Sequence, residues 1–263
     1  MSRLVTNVAD SSRTSPTRHE RRPALIALAH GSRDPRSART IAALVDDVRA
    51  RQPGLRAEAA FLDLSEPSFD AVVDRLVAEG HEEIVVVPLL LTRAFHARVD
   101  VPSALAAAEA RHPGAWLRLA PVLGLGAWLL PVLDARLGAA LRSQPIDAVV
   151  VASAGSSDSS ANAAVAELAA SWAAQRGLPF RVAFASTASP SAGEAVRELH
   201  AAGHRRVALA SLFLAPGLLP DRAAELAREA GALAVSEPLG AHAEVARAVL
   251  ARYAVGAAEL VPA

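Results

Sequence analysis

The 263-residue chain contains no cysteine and no lysine. Without cysteine there is no disulfide, thiolate nucleophile, iron–sulfur cluster or cysteine-held zinc. Without lysine there is no P-loop lysine, no Schiff base and no pyridoxal-phosphate chemistry. Any metal must therefore be held by histidine and carboxylate. Excess charge is also missing: 27 basic residues balance 27 acidic ones. That argues against nucleic acid as a partner, since gripping it calls for a basic face. No long hydrophobic run is present. The most apolar stretch, Leu119 to Leu133, is broken by Pro121, Gly124, Gly126 and Pro131, whereas a membrane span needs roughly 18 unbroken apolar residues. Residues 1–22 are polar, with Arg3, Arg13, Arg18, Arg21 and Arg22 and no apolar segment. They read as a disordered tail rather than a secretion signal, and a cytoplasmic location is expected. What is present is core-forming material, 52% hydrophobic against 21% charged. It suffices for one large domain or two of about 130 residues.

The chain repeats itself. A strand-like run from Ala24 ends in His30-Gly31-Ser32, and a second from Asp147 ends in Ala154-Gly155-Ser156. Phe61 through Ser68 is echoed by Phe184 through Ser191, and Gly80-His81 by Gly203-His204, each with the apolar run that follows. This near-constant offset predicts two copies of one unit, over 23–143 and 144–263. Within the first copy, short apolar runs near 24–30, 56–62, 83–90 and 116–121 read as strands covered on both faces. Ile41, Leu44, Val45 and Val48 have helical spacing; so do Phe69, Val72, Val73, Leu76 and Val77, with Ser65 as N-cap and Gly80 as stop. Alternating strands and helices predict an α/β fold: two similar doubly wound parallel-sheet lobes facing across a cleft.

Ligands of such sheets bind beyond the carboxyl ends of the strands, where strand order reverses. His30 ends the first strand, Asp63 the second, and the third leads through Arg93 to His96. In a 2-1-3-4 order these three strands are neighbours. Two imidazoles and a carboxylate on one rim suit a divalent transition metal, or an acid–base cluster. Taken singly, each has a plainer reading, as a hydrogen-bonded strand end, a helix cap or a loop residue. His81, His112, His200 and His204 read as structural or solvated, and His242 as a lesser cleft candidate. In the second copy the three rim positions map to Ala154, Ser186 and Leu219. Their joint loss reads as one site abandoned as a unit, leaving the second lobe as a wall suited to a large planar ligand.

Three segments carry a resemblance: Ala29-His30-Gly31-Ser32-Arg33-Asp34-Pro35, then Phe61-Leu62-Asp63-Leu64-Ser65-Glu66-Pro67-Ser68, then Pro88 through Thr92-Arg93-Ala94-Phe95-His96. Over about 23–254 the chain resembles the sirohydrochlorin chelatases of the CbiX/SirB type, in their long duplicated form. The resemblance implies a lyase that inserts a divalent metal, Fe2+ or Co2+, into sirohydrochlorin without ATP. It implies metal contact at His30 and His96 with an acidic partner at Asp63, where the family commonly has glutamate; aspartate, one methylene shorter, either reaches the metal, acts through water or orients a histidine. Arg33, Arg93 and Arg98, with Ser32, are placed to bind substrate carboxylates; the plainer reading of the arginines is that they are solvated or pair with Asp34 and Asp100. No cofactor beyond the metal substrate and no membrane partner are expected, and a monomer is. Two other readings of the same residues stand beside this one: a non-catalytic tetrapyrrole or metal carrier, and a histidine-type phosphatase, for which convergent arginines are too few.

Overall fold

The computed structural model describes residues 22–92 and 100–260. The tail and the segment holding Arg93, His96 and Arg98 lie outside the described residues. Strands β1 (Ala24–Ala29), β2 (Ala57–Phe61), β3 (Glu83–Pro88) and β4 (Trp116–Leu119) form one sheet in the order β2-β1-β3-β4. Strands β5 (Ala148–Ser153), β6 (Phe180–Phe184), β7 (Val207–Ser211) and β8 (Ala234–Val235) form the other, β6-β5-β7-β8. Every pairing is parallel, as expected. Helices α1 (Pro35–Arg51), α2 (Phe69–Ala78), α3 (Asp100–Arg111) and α4 (Leu129–Leu141) belong to the first copy by chain order. Helices α5 (Ser159–Arg176), α6 (Ala192–Ala201), α7 (Leu218–Glu229) and α8 (Ala243–Ala258) belong to the second. No described helix is long and apolar enough to cross a membrane.

Side-chain alternation along a strand assigns each sheet two faces. Ala24, Ile26 and Leu28 of β1 pack with Val72, Leu76 and Val101 of α2 and α3. Leu25 and Ala27 face the other way, with Ile41, Leu44 and Val48 of α1, into a core that also contains Val149, Val151 and Trp172 of the second copy. The spacing read as helical in α1 is thus its buried stripe. Helix α2 is capped by Ser68, whose Oγ accepts the Ala71 N–H at 3.3 Å, and not by Ser65 as the sequence suggested. The Ser65 hydroxyl is occupied elsewhere: it accepts from Ser32 N–H at 3.0 Å and donates to Ser32 C=O at 2.8 Å.

The shared core arises because the last helix of each copy packs on the other copy's sheet. Helix α8 lies on β3, β4 and α1, and α4 lies on β7 and β8. The approach of α8 is close: a Cβ on Gly256 would sit 2.6 Å from Val85 Cγ1. Reciprocal arginines fasten the exchange. Arg252 of α8 donates to Leu123 C=O at 2.8 Å, and Arg136 of α4 donates to Leu239 C=O at 2.7 Å. A guanidinium donating to a carbonyl makes a charge-assisted hydrogen bond, about twice as strong as a neutral one. The two lobes are thereby held by a core rather than by a linker.

Candidate functional site

His30 follows the last residue of β1 and is half-buried. Its carbonyl accepts the Asp63 N–H at 2.9 Å, so the ends of β1 and β2 stay zipped just past the sheet. Gly31 is required there. It has φ +102°, and a Cβ at that position would lie 1.6 Å from the Asp63 carbonyl oxygen. Ser65 then clasps the backbone of Ser32 through the two hydrogen bonds given above. The Ser32 hydroxyl accepts the Asp34 N–H at 3.1 Å, and Asp34 caps α1 by accepting from Arg36 N–H at 2.9 Å. Three predicted residues, His30, Ser32 and Asp63, thus meet through one network.

Asp63 is exposed, and one carboxylate oxygen accepts the Leu64 N–H at 2.7 Å. The backbone N–H of Ser32 is committed to Ser65. The hydroxyl of Ser32 keeps its proton to donate. Arg33 is exposed and makes no hydrogen bond or ion pair among the described residues. Arg93, His96 and Arg98 lie outside those residues. Among the described residues no group of three or more metal-competent side chains forms; the site as read needs His96 for its third donor.

The second copy repeats the backbone without the chemistry. Ser186 N–H donates to Ala154 C=O at 2.9 Å. Gly155 has φ +86°, and a Cβ on it would lie 2.1 Å from the Ser186 carbonyl oxygen. Asn162 clasps the Ser156 backbone at 3.0 and 2.8 Å, taking the part of Ser65. Leu219 packs against the second lobe's own core.

Other histidines have structural posts. His112 Nε2 lies 2.6 Å from Asp74 Oδ1, tying α3 to α2, and His200 Nδ1 lies 2.9 Å from His204 C=O. His242, a sequence candidate for the cleft, instead caps α8: its Nδ1 accepts the Glu244 N–H at 3.2 Å. Burial, with the nearby Arg136 charge, holds this imidazole below its ordinary pKa. A neutral ring is what an accepting cap needs.

Several features were not legible in the chain. Arg36 binds Asp34 and also Asp221 of α7, bridging the lobes beside Ser32. A cavity of about 390 Å³ opens between Leu91, Thr92 and Gly124 of the first copy and Asp158, Ser160 and Arg252 of the second. It begins at the last described residues before Arg93. The Arg36–Asp221 pair leaves no local signal, because it joins residues of two copies far apart in the chain.

Comparison with known proteins bears on this arrangement. The CbiX family model matches residues 24–140 and 148–255. The sirohydrochlorin cobaltochelatase of Priestia megaterium is 26% identical over 212 residues, covering 78% of this chain and 68% of that protein. The sirohydrochlorin ferrochelatase of Bacillus subtilis (strain 168) is 30% identical over 102 residues, 39% of each chain. The structure of SirB from Bacillus subtilis with Fe3+ superposes with a TM-score of 0.75 at 25% identity, covering 90% of this chain and 96% of that one.

Proposed function

Because the chain belongs to the CbiX family over both of its halves, we propose that it inserts a divalent metal ion into sirohydrochlorin. The observation that carries the site assignment is the asymmetry of the two copies. His30 and Asp63 stand on a backbone that the second copy keeps while replacing both side chains by Ala154 and Ser186. In this reading His30 and His96 hold the incoming metal, and Asp63 holds it with them or orients a histidine. Imidazole and carboxylate can replace water on the incoming ion and accept both iron and cobalt, in keeping with relatives named for each.

The chemistry balances without a co-reactant. The metal ion enters the macrocycle as the two pyrrole N–H protons leave. Imidazole titrates near ~6.5 in water, so histidine is the side-chain type suited to take those protons at neutral pH. Arg33, Arg93 and Arg98 pair with substrate carboxylates, and the Ser32 hydroxyl donates to another.

The test is anaerobic mixing of the protein with sirohydrochlorin and Fe2+, Co2+ or Ni2+, followed by absorbance. Insertion is expected with the wild type. His30→Ala and His96→Ala should each slow it at least ~100-fold with an unchanged circular dichroism spectrum, as expected for rim residues. Asp63→Asn should slow it less. Tight tetrapyrrole binding with no insertion would instead identify a carrier.

A further inference from the structure

One apolar side chain stands where burial would not place it. Leu218, the first residue of α7, is 80% exposed, more than any other large hydrophobic residue among those described. Its neighbour Leu219 turns into the core of the second lobe. The direction of Leu218 follows from helical spacing. Residues at i and i+3 share a helix face, so Leu218 lies on the face of Asp221, whose carboxylate reaches Arg36 of the first lobe. Preceding it, Gly217 lies against the first lobe as well: a Cβ on Gly217 would be 3.6 Å from Ser32 Oγ. The side chain therefore projects from the second lobe toward the β1–α1 loop that follows His30, yet stays open to solvent.

A partner residue stands on the first lobe. Leu64, next to Asp63, is 46% exposed and is held at φ +59°. Its counterpart in the second copy, Thr187, has the same backbone conformation, φ +57°, but a polar side chain. Leu64 adjoins Ser65, which clasps Ser32; Leu218 adjoins Gly217, which rests on Ser32. Two exposed leucines, one per lobe, thus flank the loop that carries His30. Neither has a core to join. An exposed leucine at each side of a polar site has the chemistry to contact a flat conjugated ring while the polar groups take its edges.

We propose that Leu218 is a substrate-positioning residue, supplying the second lobe's apolar contact to the face of the tetrapyrrole, with Leu64 as the first lobe's counterpart. The proposal rests on the reading of the site as a tetrapyrrole chelatase. It gives the silent lobe a specific task in place of a general wall.

The test uses the full chain and metal-free sirohydrochlorin, with binding followed by quenching of the tetrapyrrole's fluorescence. Leu218→Ala should weaken binding about 10-fold, about 1.4 kcal/mol. Leu218→Asp should weaken it further, since it also brings a negative charge to a polycarboxylate. Leu218→Phe should bind as the wild type does. In steady-state insertion the loss should appear in KM for the tetrapyrrole, with KM for the metal and kcat little changed. A purely structural role would not produce that split, nor rescue by phenylalanine. Wild-type binding by Leu218→Asp, in a protein whose insertion is still abolished by His30→Ala, overturns this inference and leaves the chelatase reading standing. Absence of both binding and insertion in the wild type overturns both.

Discussion

Gly31→Ala and its internal control Gly155→Ala separate what the backbone needs from what the chemistry needs. The Gly31 φ of +102° is one that alanine adopts only with strain, and left-handed conformations cost L-residues roughly 1–2 kcal/mol. The added Cβ would also meet the Asp63 carbonyl oxygen at 1.6 Å. Relief requires the two loops to part by more than an ångström. That would break the Asp63 N–H to His30 C=O bond at 2.9 Å and loosen the Ser65 clasp on Ser32. At about 0.5–1.5 kcal/mol for each of these three hydrogen bonds, the total destabilisation is about 3–6 kcal/mol. For a domain pair of this size that lowers Tm by roughly 6–24 °C, at about 2–4 °C per kcal/mol. Gly155→Ala meets Ser186 C=O at 2.1 Å with φ +86°, so its thermal cost should be similar. The functional outcomes diverge. With insertion assayed well below both transitions, Gly31→Ala should lose about 100-fold, because ~1 Å of misplacement at a reacting centre costs that much. Gly155→Ala should stay within a few-fold of wild type. Equal losses of insertion in the two variants, or an unchanged Tm for Gly31→Ala, would refute the reasoning.

Two further predictions concern stability. Gly256→Val should destabilise the protein in urea by about 1–3 kcal/mol, the usual range for overpacking, because its Cβ meets Val85 Cγ1 at 2.6 Å; Gly138→Ala on α4, where a Cβ meets nothing within 4 Å, should be neutral or stabilising by up to about 1 kcal/mol. The His242 imidazole has a folded pKa below its unfolded value of about 6.5. Its contribution is therefore complete above that value and lost as pH falls through the window beneath it, where the unfolded chain binds a proton that the folded chain refuses; urea titrations across that window should show the loss in wild type and not in His242→Asn.

The repeat, the strand order and the rim positions of His30 and Asp63 were legible because each has a local signature: short apolar runs, helical spacing, and a constant offset between copies. Ser65 was misread for a reason that is equally physical. A serine three or four residues before an apolar helix looks like a cap, and only the approach of Ser32 from 33 positions away claims its hydroxyl. The capping role of His242 was not legible because a histidine beyond a strand end and a histidine before a helix occupy the same stretch of sequence. The helix exchange had no signature, since α4 and α8 would show the same apolar stripe whichever sheet they covered. The same is true of Leu218, whose exposure is a property of the assembled lobes.

The exchange also explains how the second copy keeps its fold without the polar residues of the first. The turns after β1 and β5 share a left-handed glycine, an amide-to-carbonyl zip and a clasped serine backbone. All of these are demands of packing, and none involves the imidazole of His30 or the carboxylate of Asp63. The second sheet is covered by α4 from the first copy, so it cannot be dispensed with even when its rim carries no chemistry. The fold therefore needs both backbones in register, while it does not need imidazole or carboxylate at the second rim. Of the three positions that differ, Ala154 and Ser186 are half-buried and Leu219 packs inward, so that rim presents neither imidazole nor carboxylate there. Leu218, one residue away, stays outside that core and exposed.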